Sequence, residues 1–262
     1  MTAVQWDPSA YKRRTGERQR PFLELLARVG ADHPSFVVDL GCGPGPLTAA
    51  LADRWPEARV LGVDSSPEMV AEAQQYARPP QLTFEQGDAS AWIPDAPVDV
   101  LVANALLQWV PGHERLLAHF VDIIASGGWF AFQVPGNFDA PSHQLLAELR
   151  TSPEWRDRLG ENAVRTASVM EPAGYLERLA ALGCEVDAWE TTYLHVLDGE
   201  DPVLRWMDGT ALRPVLTGLS DDPEARDRFI RQLADRLRDA YPQRPFGTVF
   251  SFRRIFVVAH KP

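Results

Sequence analysis

The 262-residue sequence predicts an α/β fold, in which a mostly parallel β-sheet carries helices on its faces. Three observations indicate this fold. From residue 35 to about residue 134, short apolar segments alternate with helix-length segments, as in strands joined by crossover helices. Some apolar segments, such as VDVLVA, are continuous, which fits strands covered on both faces. After Pro135 the alternation stops, and two long strand-like segments predict a terminal strand pair interrupted by helices.

The elements are expected in the following order. Pro21 opens a helix over PFLELLARV. Strands and helices then alternate as FVVDL, LTAALADRW, RVLGVD, PEMVAEAQQYA, LTFEQGD, VDVLVAN, ERLLAHFVDII and GWFAFQV. Helices follow near 142–150 and 172–182, with strands at EVDAWETTYLHVL and TVFSFRRIFVVAH. Between those strands, PEARDRFIRQLADRLRDAY predicts an amphipathic helix with one apolar stripe: Phe229, Ile230, Leu233 and Leu237.

We interpret the chain as one domain over residues 1–262. Its predicted parts are an N-terminal arm and helix (1–34), a cofactor-binding core (35–135), helical substrate-side elements (136–183 and 197–247) and terminal strands (184–196 and 248–260). The sequence has no internal repeat, low-complexity segment or flexible linker.

Composition and charge limit the possible functions. The N-terminus has no apolar signal region and no later stretch reaches the roughly 18 apolar residues of a membrane span, so we expect a cytoplasmic protein. Two cysteines and six scattered histidines are too few for a disulfide framework or a structural zinc site. The net charge of −10 opposes binding to nucleic acid or anionic membranes. However, ten arginines and seven acids lie between Arg205 and Arg254, and this +3 segment suits a small anionic substrate.

The turn after the first strand, GCGPGP at 41–46, indicates the cofactor class. A dinucleotide fingerprint needs glycine at position 46, but Pro46 stands there and the third glycine comes one residue early. The leading acid Asp39 would repel a pyrophosphate but would attract a cationic sulfonium with an α-amino group. The turn therefore opposes a nicotinamide oxidoreductase and resembles S-adenosylmethionine-dependent methyltransferases; a turn that serves only packing is the alternative. The predicted contacts here are Asp39, Gly41, Cys42 and Gly43.

The end of the second strand predicts a ribose site. Asp64 can accept hydrogen bonds from both ribose hydroxyls, and its neighbour Ser65 is included in the predicted site. The alternative for Asp64 is the N-cap of the next helix, although Ser65 or Ser66 before Pro67 could fill that place. Met69 is expected either on the adenine face or in the core.

Two later strands add candidates. GDAS after the third strand offers the Asp88 carboxylate and the Ala89 amide to the adenine ring. Asn104 ends the fourth strand, at the sheet edge where ligands of open α/β sheets bind. The segment NALLQWV lacks the N-P-P-Y or D-P-P-Y pattern of enzymes that methylate exocyclic amines of nucleic-acid bases, so that activity is not expected.

Motifs over nearly the whole chain resemble the trans-aconitate 2-methyltransferase family. They are WDPSAY, DLGCGPG, RWPEARVLGVDSSPEM, NALLQWVPGHERLL, WETTYLHVL, MDGTALRPVL, AYP and FRRIFVVAH; Pro46 and the loop VPGNFDAPSH depart from the family pattern. The resemblance implies a Rossmann-like class I methyltransferase fold, with seven strands, an antiparallel last strand, an N-terminal arm and a helical cap insertion. It also implies methyl transfer from S-adenosylmethionine to one carboxylate of trans-aconitate, giving a monomethyl ester and S-adenosylhomocysteine. Since a carboxylate is already ionised near neutral pH, neither a catalytic base nor a metal is expected.

A tricarboxylate needs guanidinium partners, which directs attention to Arg213, Arg253 and Arg254. Strand alternation places Arg253 and Arg254 on opposite faces, so one of them should lie outside the pocket. The arginines of the amphipathic helix are instead expected at the surface: Arg226, Arg228, Arg231, Arg236 and Arg238. Arginines should hold the unreactive carboxylates, while neutral donors orient the attacking oxygen. The remaining candidates for binding the substrate acid are Gln133, Asn137, Tyr193, His195 and Trp206. His195 could instead be a strand residue that only packs against its neighbours.

Trp6, Tyr11 and Arg20 on the N-terminal arm are predicted to close over the sulfonium, because an aromatic face favours a cation. Two other functions remain open: a methyltransferase of this fold acting on another acid or a hydroxyl, and a non-catalytic S-adenosylmethionine sensor. A sensor would not need an arginine-rich cap.

Overall fold

The computed structural model describes residues 15–159, 169–208 and 211–262. Its centre is a seven-stranded sheet in the order β3-β2-β1-β4-β5-β7-β6. The strands are β1 Phe36–Leu40, β2 Arg59–Asp64, β3 Leu82–Gln86, β4 Val98–Asn104, β5 Ile124–Pro135, β6 Glu185–Leu197 and β7 Thr248–His260. The first five are parallel to one another, whereas β7 is antiparallel to β5. The predicted fold class is therefore confirmed.

The described helices are α1 Thr15–Leu26, α2 Pro46–Arg54, α3 Pro67–Ala73, α4 Leu117–Asp122, α5 Pro141–Thr151, α6 Arg156–Leu159, α7 Pro172–Ala181, α8 Pro202–Asp208, α9 Arg213–Gly218 and α10 Pro223–Ala240. No helix of the described ranges is long and apolar enough to cross a membrane. The strand order reverses between β1 and β4, which creates a crevice at the carboxyl ends of these strands.

One predicted helix start is wrong. Pro21 lies inside α1, which begins at Thr15, rather than at the first turn. Proline lacks an N–H and costs a helix one hydrogen bond, but its fixed φ is helical. The turn after it is anchored because Phe22 and Leu25 are fully buried, and that packing outweighs the missing bond.

The chain divides into two compact units. The sheet unit consists of residues 15–135, 169–191 and 254–262, and the helical unit of residues 136–159, 192–208 and 211–253. The sheet unit has a core of strand side chains that includes Phe130, Phe132 and Val257, together with Tyr175 and Leu179 of α7. The expectation of one domain with a cap stays a prediction.

The helical unit has its own core. On α10, Phe229, Leu233 and Leu237 are buried, as the apolar stripe predicts, and Ile230 is half-buried. They pack in one cluster with side chains of α5, α8 and β7. The predicted surface position of the α10 arginines is also confirmed, since all five are exposed: Arg226, Arg228, Arg231, Arg236 and Arg238.

Candidate functional site

A row of polar side chains crosses four neighbouring strands of the sheet unit, near the carboxyl ends of the parallel strands. It contains Asp39 of β1, Asn104 of β4, Gln133 of β5 and Arg254 of β7. The register pairs Asn104 with Gln133, and Arg254 with Pro135 two residues further along β5. The row adjoins the point where the strand order reverses, which is where open α/β sheets bind ligands.

The glycine turn after β1 presents backbone to this edge. Gly41 has φ +72°, and a side chain there would bring its Cβ within 2.8 Å of Leu106. Gly43 has φ +54°, but a Cβ at this position would meet no atom of the described residues within 4 Å. Both residues therefore need the left-handed conformation that favours glycine, and Gly43 additionally borders open space.

Asp64 is fixed by two backbone donors. Its Oδ2 accepts from the Gly43 amide at 2.9 Å and its Oδ1 accepts from the Ser66 amide at 2.9 Å. Ser66, not Asp64, caps α3, because its Oγ accepts from the Met69 amide. Each Asp64 oxygen keeps a further acceptor position, so two adjacent hydroxyls could bind it. Burial raises the pKa of Asp64, while the amide donors oppose that rise.

Asp39 is only 2% exposed, and its Oδ2 accepts a 2.7 Å hydrogen bond from the Thr48 hydroxyl on α2. Burial raises the pKa of Asp39 to about 7, the Thr48 bond lowers it, and the Asp64 charge adds to the rise. The carboxyl is thus near its titration midpoint at neutral pH. A cation bound nearby would shift it toward the ionised form.

Cys42 is buried in the same turn. Burial first, and then the charges of Asp39 and Asp64, raise the pKa of its thiol. The thiol therefore stays protonated and is a poor nucleophile. Its place suits close packing in a tight turn rather than covalent chemistry.

The remaining cofactor candidates lie on the following segments. Met69 and Ala89 are buried, and Ser65 is exposed. Asp88 is exposed and accepts from the Ser90 amide and hydroxyl, which lower the pKa of its carboxyl. Arg20 on α1 donates from Nε to Glu24 at 2.8 Å. Trp6 and Tyr11 lie outside the described residues.

Three members of the polar row form one buried hydrogen-bonded chain. Arg254 Nη1 donates to Gln133 Oε1 at 2.9 Å, and Gln133 Nε2 donates to Asn104 Oδ1 at 2.7 Å. Arg254 is 6% exposed and Gln133 is 1% exposed. Because the Gln133 amide has a cation on one side and an acceptor on the other, its orientation is fixed. Asn104 consequently keeps its Nδ2 group as the donor available to a ligand.

The backbone next to Asn104 is unusual. Ala105 has φ +55°, which is uncommon for a residue with a side chain, and its amide donates to the Gln133 carbonyl at 2.9 Å. The Ala105 carbonyl accepts from the buried Gln108 side chain at 2.6 Å. Sequence reasoning missed Gln108, although a glutamine inside the apolar segment NALLQWV was a signal. Such backbone is often found at functional sites.

The helical unit contains the other residues predicted to bind the substrate acid. Tyr193 and Trp206 are buried, and the half-buried His195 ring lies 4.7 Å from the Trp206 ring and 6.3 Å from the Tyr193 ring. Arg213 begins α9 and is half-buried. Arg253 is also half-buried, and its Nη1 donates to the Gly136 carbonyl at 3.2 Å.

Two buried polar side chains of the helical unit have no hydrogen-bond partner in the described parts of the chain. Asn137 was a sequence candidate, and both of its amide atoms are buried and unbonded. Arg150 on α5 was missed; its Nε and Nη1 are buried and unbonded. The signal was an arginine continuing the apolar positions Leu146 and Leu149 on the buried face.

No group of three or more His, Cys, Asp or Glu within the described ranges is arranged to hold a metal ion. The chemistry that the polar row offers is that of binding and orientation. Together with Asp64, the row combines two carboxyls beside an open glycine turn with a guanidinium and an amide donor.

Residues 37–128 match a family described as a methyltransferase domain. The chain is 53% identical over 268 residues to a trans-aconitate 2-methyltransferase of Streptomyces coelicolor, covering 100% of this chain and 88% of that protein. It is 52% identical over 256 residues to a trans-aconitate 2-methyltransferase of Rhodococcus jostii, covering 97% and 98%. A solved phosphoethanolamine N-methyltransferase 2 of Haemonchus contortus is similar in fold, with a TM-score of 0.58, 15% identity, and coverage of 97% of this chain and 57% of that chain.

Proposed function

The chain belongs to the trans-aconitate 2-methyltransferase family and is a methyltransferase, and from this premise we propose that it methylates one carboxylate of trans-aconitate with S-adenosylmethionine. The products are a monomethyl ester and S-adenosylhomocysteine. The observation that carries the proposal is the polar row, in which Asp39 lies beside the glycine turn and Arg254 lies at the same sheet edge.

The residues around the glycine turn fit S-adenosylmethionine. When bound, this cofactor supplies an electrophilic methyl group on a sulfonium. Gly43 leaves room for a ligand against the backbone, and Asp64 has acceptor positions for two ribose hydroxyls. A cation bound beside the turn would shift the Asp39 carboxyl toward its ionised form, so Asp39 favours a cationic ligand over a pyrophosphate. Met69 and the segment at Asp88 and Ala89 stay predicted adenine contacts.

The acid side of the proposal depends on Arg254. Its guanidinium is held by Gln133 and binds a carboxylate that does not react, since an ion pair to the attacking oxygen would weaken it as a nucleophile. The Nδ2 group of Asn104 is a neutral donor that orients the reacting carboxylate. That carboxylate is already ionised, so no residue has to remove a proton. Alignment and exclusion of water then supply the acceleration.

Arg213, Arg253, Asn137, Tyr193, His195 and Trp206 remain predicted acid-binding residues of the helical unit. We also expect a cytoplasmic protein. A nucleic-acid or membrane partner is not expected, because the net charge of −10 opposes binding to anionic surfaces.

Substrate choice tests the proposal. The purified chain should be assayed with S-adenosylmethionine and a panel of trans-aconitate, cis-aconitate, isocitrate, citrate and a hydroxyl acceptor, with kcat/KM measured for each. We expect the highest value for trans-aconitate. A higher value for another acid or for the hydroxyl acceptor would replace the substrate assignment, and cofactor binding without turnover of any acceptor would favour a sensor.

A further inference from the structure

Arg150 is a buried cation whose charge is not balanced. It is 7% exposed, and its Nε and Nη1 atoms have neither solvent contact nor an acceptor among the described residues. Burial lowers the pKa of its guanidinium, and no carboxylate of the described chain opposes that effect. Buried charges are normally paired, because an unpaired one loses its hydration without compensation.

The acids nearest to Arg150 in sequence are used elsewhere. Glu148 is exposed on another face of α5. Glu154 accepts from Arg228 Nε at 3.0 Å and from Gln232 Nε2 at 3.0 Å. Neither carboxylate therefore serves as a counter-ion for Arg150.

A structural role at the helix end does not account for Arg150 either. A cation in the last turn interacts favourably with the helix dipole, and Arg150 is in the last turn of α5. However, the carbonyls of that turn are bonded by other groups: Thr151 Oγ1 donates to the Ala147 carbonyl and the Ser152 amide donates to the Leu149 carbonyl. An interaction with the helix dipole would also not provide hydrogen-bond acceptors for the Nε and Nη1 atoms of Arg150.

The immediate surroundings of Arg150 are apolar on the same helix face. Leu146 and Leu149 belong to the core of the helical unit, where α5 packs mainly against α10. In such a setting an ion pair with a ligand is strong, because water competes little with it. The missing partner is therefore an anion with oxygen acceptors that fit the planar guanidinium fork.

We propose that Arg150 is a substrate-binding residue of the helical unit, whose guanidinium pairs with a carboxylate of the acid. This inference rests on the proposed function for the identity of the acid.

The test compares Arg150→Met and Arg150→Lys with the matched control Arg236→Met, which removes an exposed arginine from α10. KM and kcat are measured for trans-aconitate and for S-adenosylmethionine, and melting temperatures are recorded without ligand and with trans-aconitate. Inorganic phosphate at the same concentration shows whether any anion suffices.

We expect Arg150→Met to raise KM for trans-aconitate roughly tenfold to a hundredfold and to leave KM for S-adenosylmethionine within about twofold. Since methionine removes an unbalanced buried charge, the ligand-free protein should melt at the same temperature or about 2–4 °C higher. Stabilisation by trans-aconitate should decrease, phosphate should stabilise less than trans-aconitate, and the control should match the wild type.

An unchanged KM for trans-aconitate in Arg150→Met would overturn the inference. So would a lower ligand-free melting temperature with both KM values unchanged, because that result indicates a purely structural side chain. If Arg150→Met does not fold, Arg150→Lys decides: a raised KM supports the carboxylate contact, because lysine lacks the bidentate fork, and a wild-type KM contradicts it. If the wild type methylates a different acid, the substrate assignment fails and the same comparison with that acid still tests Arg150.

Discussion

Asp39 is the residue whose chemistry depends most on the fold around it. Its folded pKa of about 7 exceeds its ordinary value of 3.8, so between these pH values only the folded carboxyl holds its proton. The unfolded chain then binds fewer protons, and the free energy of unfolding decreases as pH rises toward 7. The expected slope from this residue is about 1.4 kcal/mol per pH unit, and it should vanish above pH 7 and below the ordinary pKa.

Urea unfolding of the wild type and Asp39→Asn at several pH values between about 5 and 8 measures this effect. The stability difference, wild type minus variant, should fall with pH and then level off. A difference that is constant or rises with pH would contradict the raised pKa.

Arg254 and Arg253 are neighbours in sequence with different surroundings. Only Arg254 is buried and bonded to Gln133, so Arg254→Met should raise KM for trans-aconitate roughly tenfold to a hundredfold. The affinity for S-adenosylhomocysteine should change little, which calorimetry can measure. Arg236→Met serves as the control for loss of an arginine. If folded Arg254→Met has the wild-type KM for trans-aconitate, Arg254 does not bind the substrate.

At the residue scale, the sequence identified side chains that follow a strand end or a glycine turn, because those positions have a fixed place in an α/β sheet. Asp39, Asp64, Asn104 and Gln133 were found in this way. Arg150 and Gln108 were missed because their burial depends on packing between distant segments.

Among the secondary-structure elements, the pairing of β5 with β7 brings together the residues proposed to bind the substrate acid. Its register brings Arg254 within hydrogen-bond reach of Gln133, although 121 residues separate them. Gln133→Leu should therefore misorient both Arg254 and Asn104. We expect a higher KM for trans-aconitate, a lower kcat and a loss of roughly 1–3 kcal/mol in stability, since buried polar groups lose their partners.

Steady-state kinetics and urea unfolding of Gln133→Leu check this prediction, with the exposed Gln144→Leu on α5 as the control. Gln133→Glu keeps an acceptor for Arg254 but loses the donor to Asn104. Compared with Gln133→Leu, this variant should therefore restore KM for trans-aconitate toward the wild-type value more fully than kcat. Wild-type kinetics in Gln133→Leu would show that the hydrogen-bonded chain has no role in binding or orientation.

Element bounds were predicted best for the strands. β1, β2, β4, β6 and β7 have the predicted limits, because apolar and β-branched runs bounded by polar turns indicate strands directly. The start of α1 was wrong because buried Phe22 and Leu25 stabilise the helix on the far side of Pro21. The register between β5 and β7 could not be read from either strand alone.

For the molecule as a whole, the glycine turn predicts which nucleotide stabilises the fold. A saturating ligand that binds only the folded chain stabilises it by about 2.7 kcal/mol at 100 times its Kd, so S-adenosylhomocysteine should raise the melting temperature by about 5 °C or more. Oxidised nicotinamide dinucleotide should have no effect, because Asp39 and Pro46 oppose a pyrophosphate. Thermal shift with both nucleotides measures this. Stabilisation by the dinucleotide alone would contradict the cofactor assignment.

The most direct test of the account is the fate of a labelled methyl group. The purified chain is incubated with S-adenosylmethionine carrying a ¹³C methyl group and with trans-aconitate, and the product is examined by NMR and mass spectrometry. The account predicts one labelled O-methyl ester on a carboxylate of trans-aconitate, with one S-adenosylhomocysteine formed per ester. Label on carbon or on another acceptor, or no labelled ester with folded and cofactor-bound protein, would contradict it.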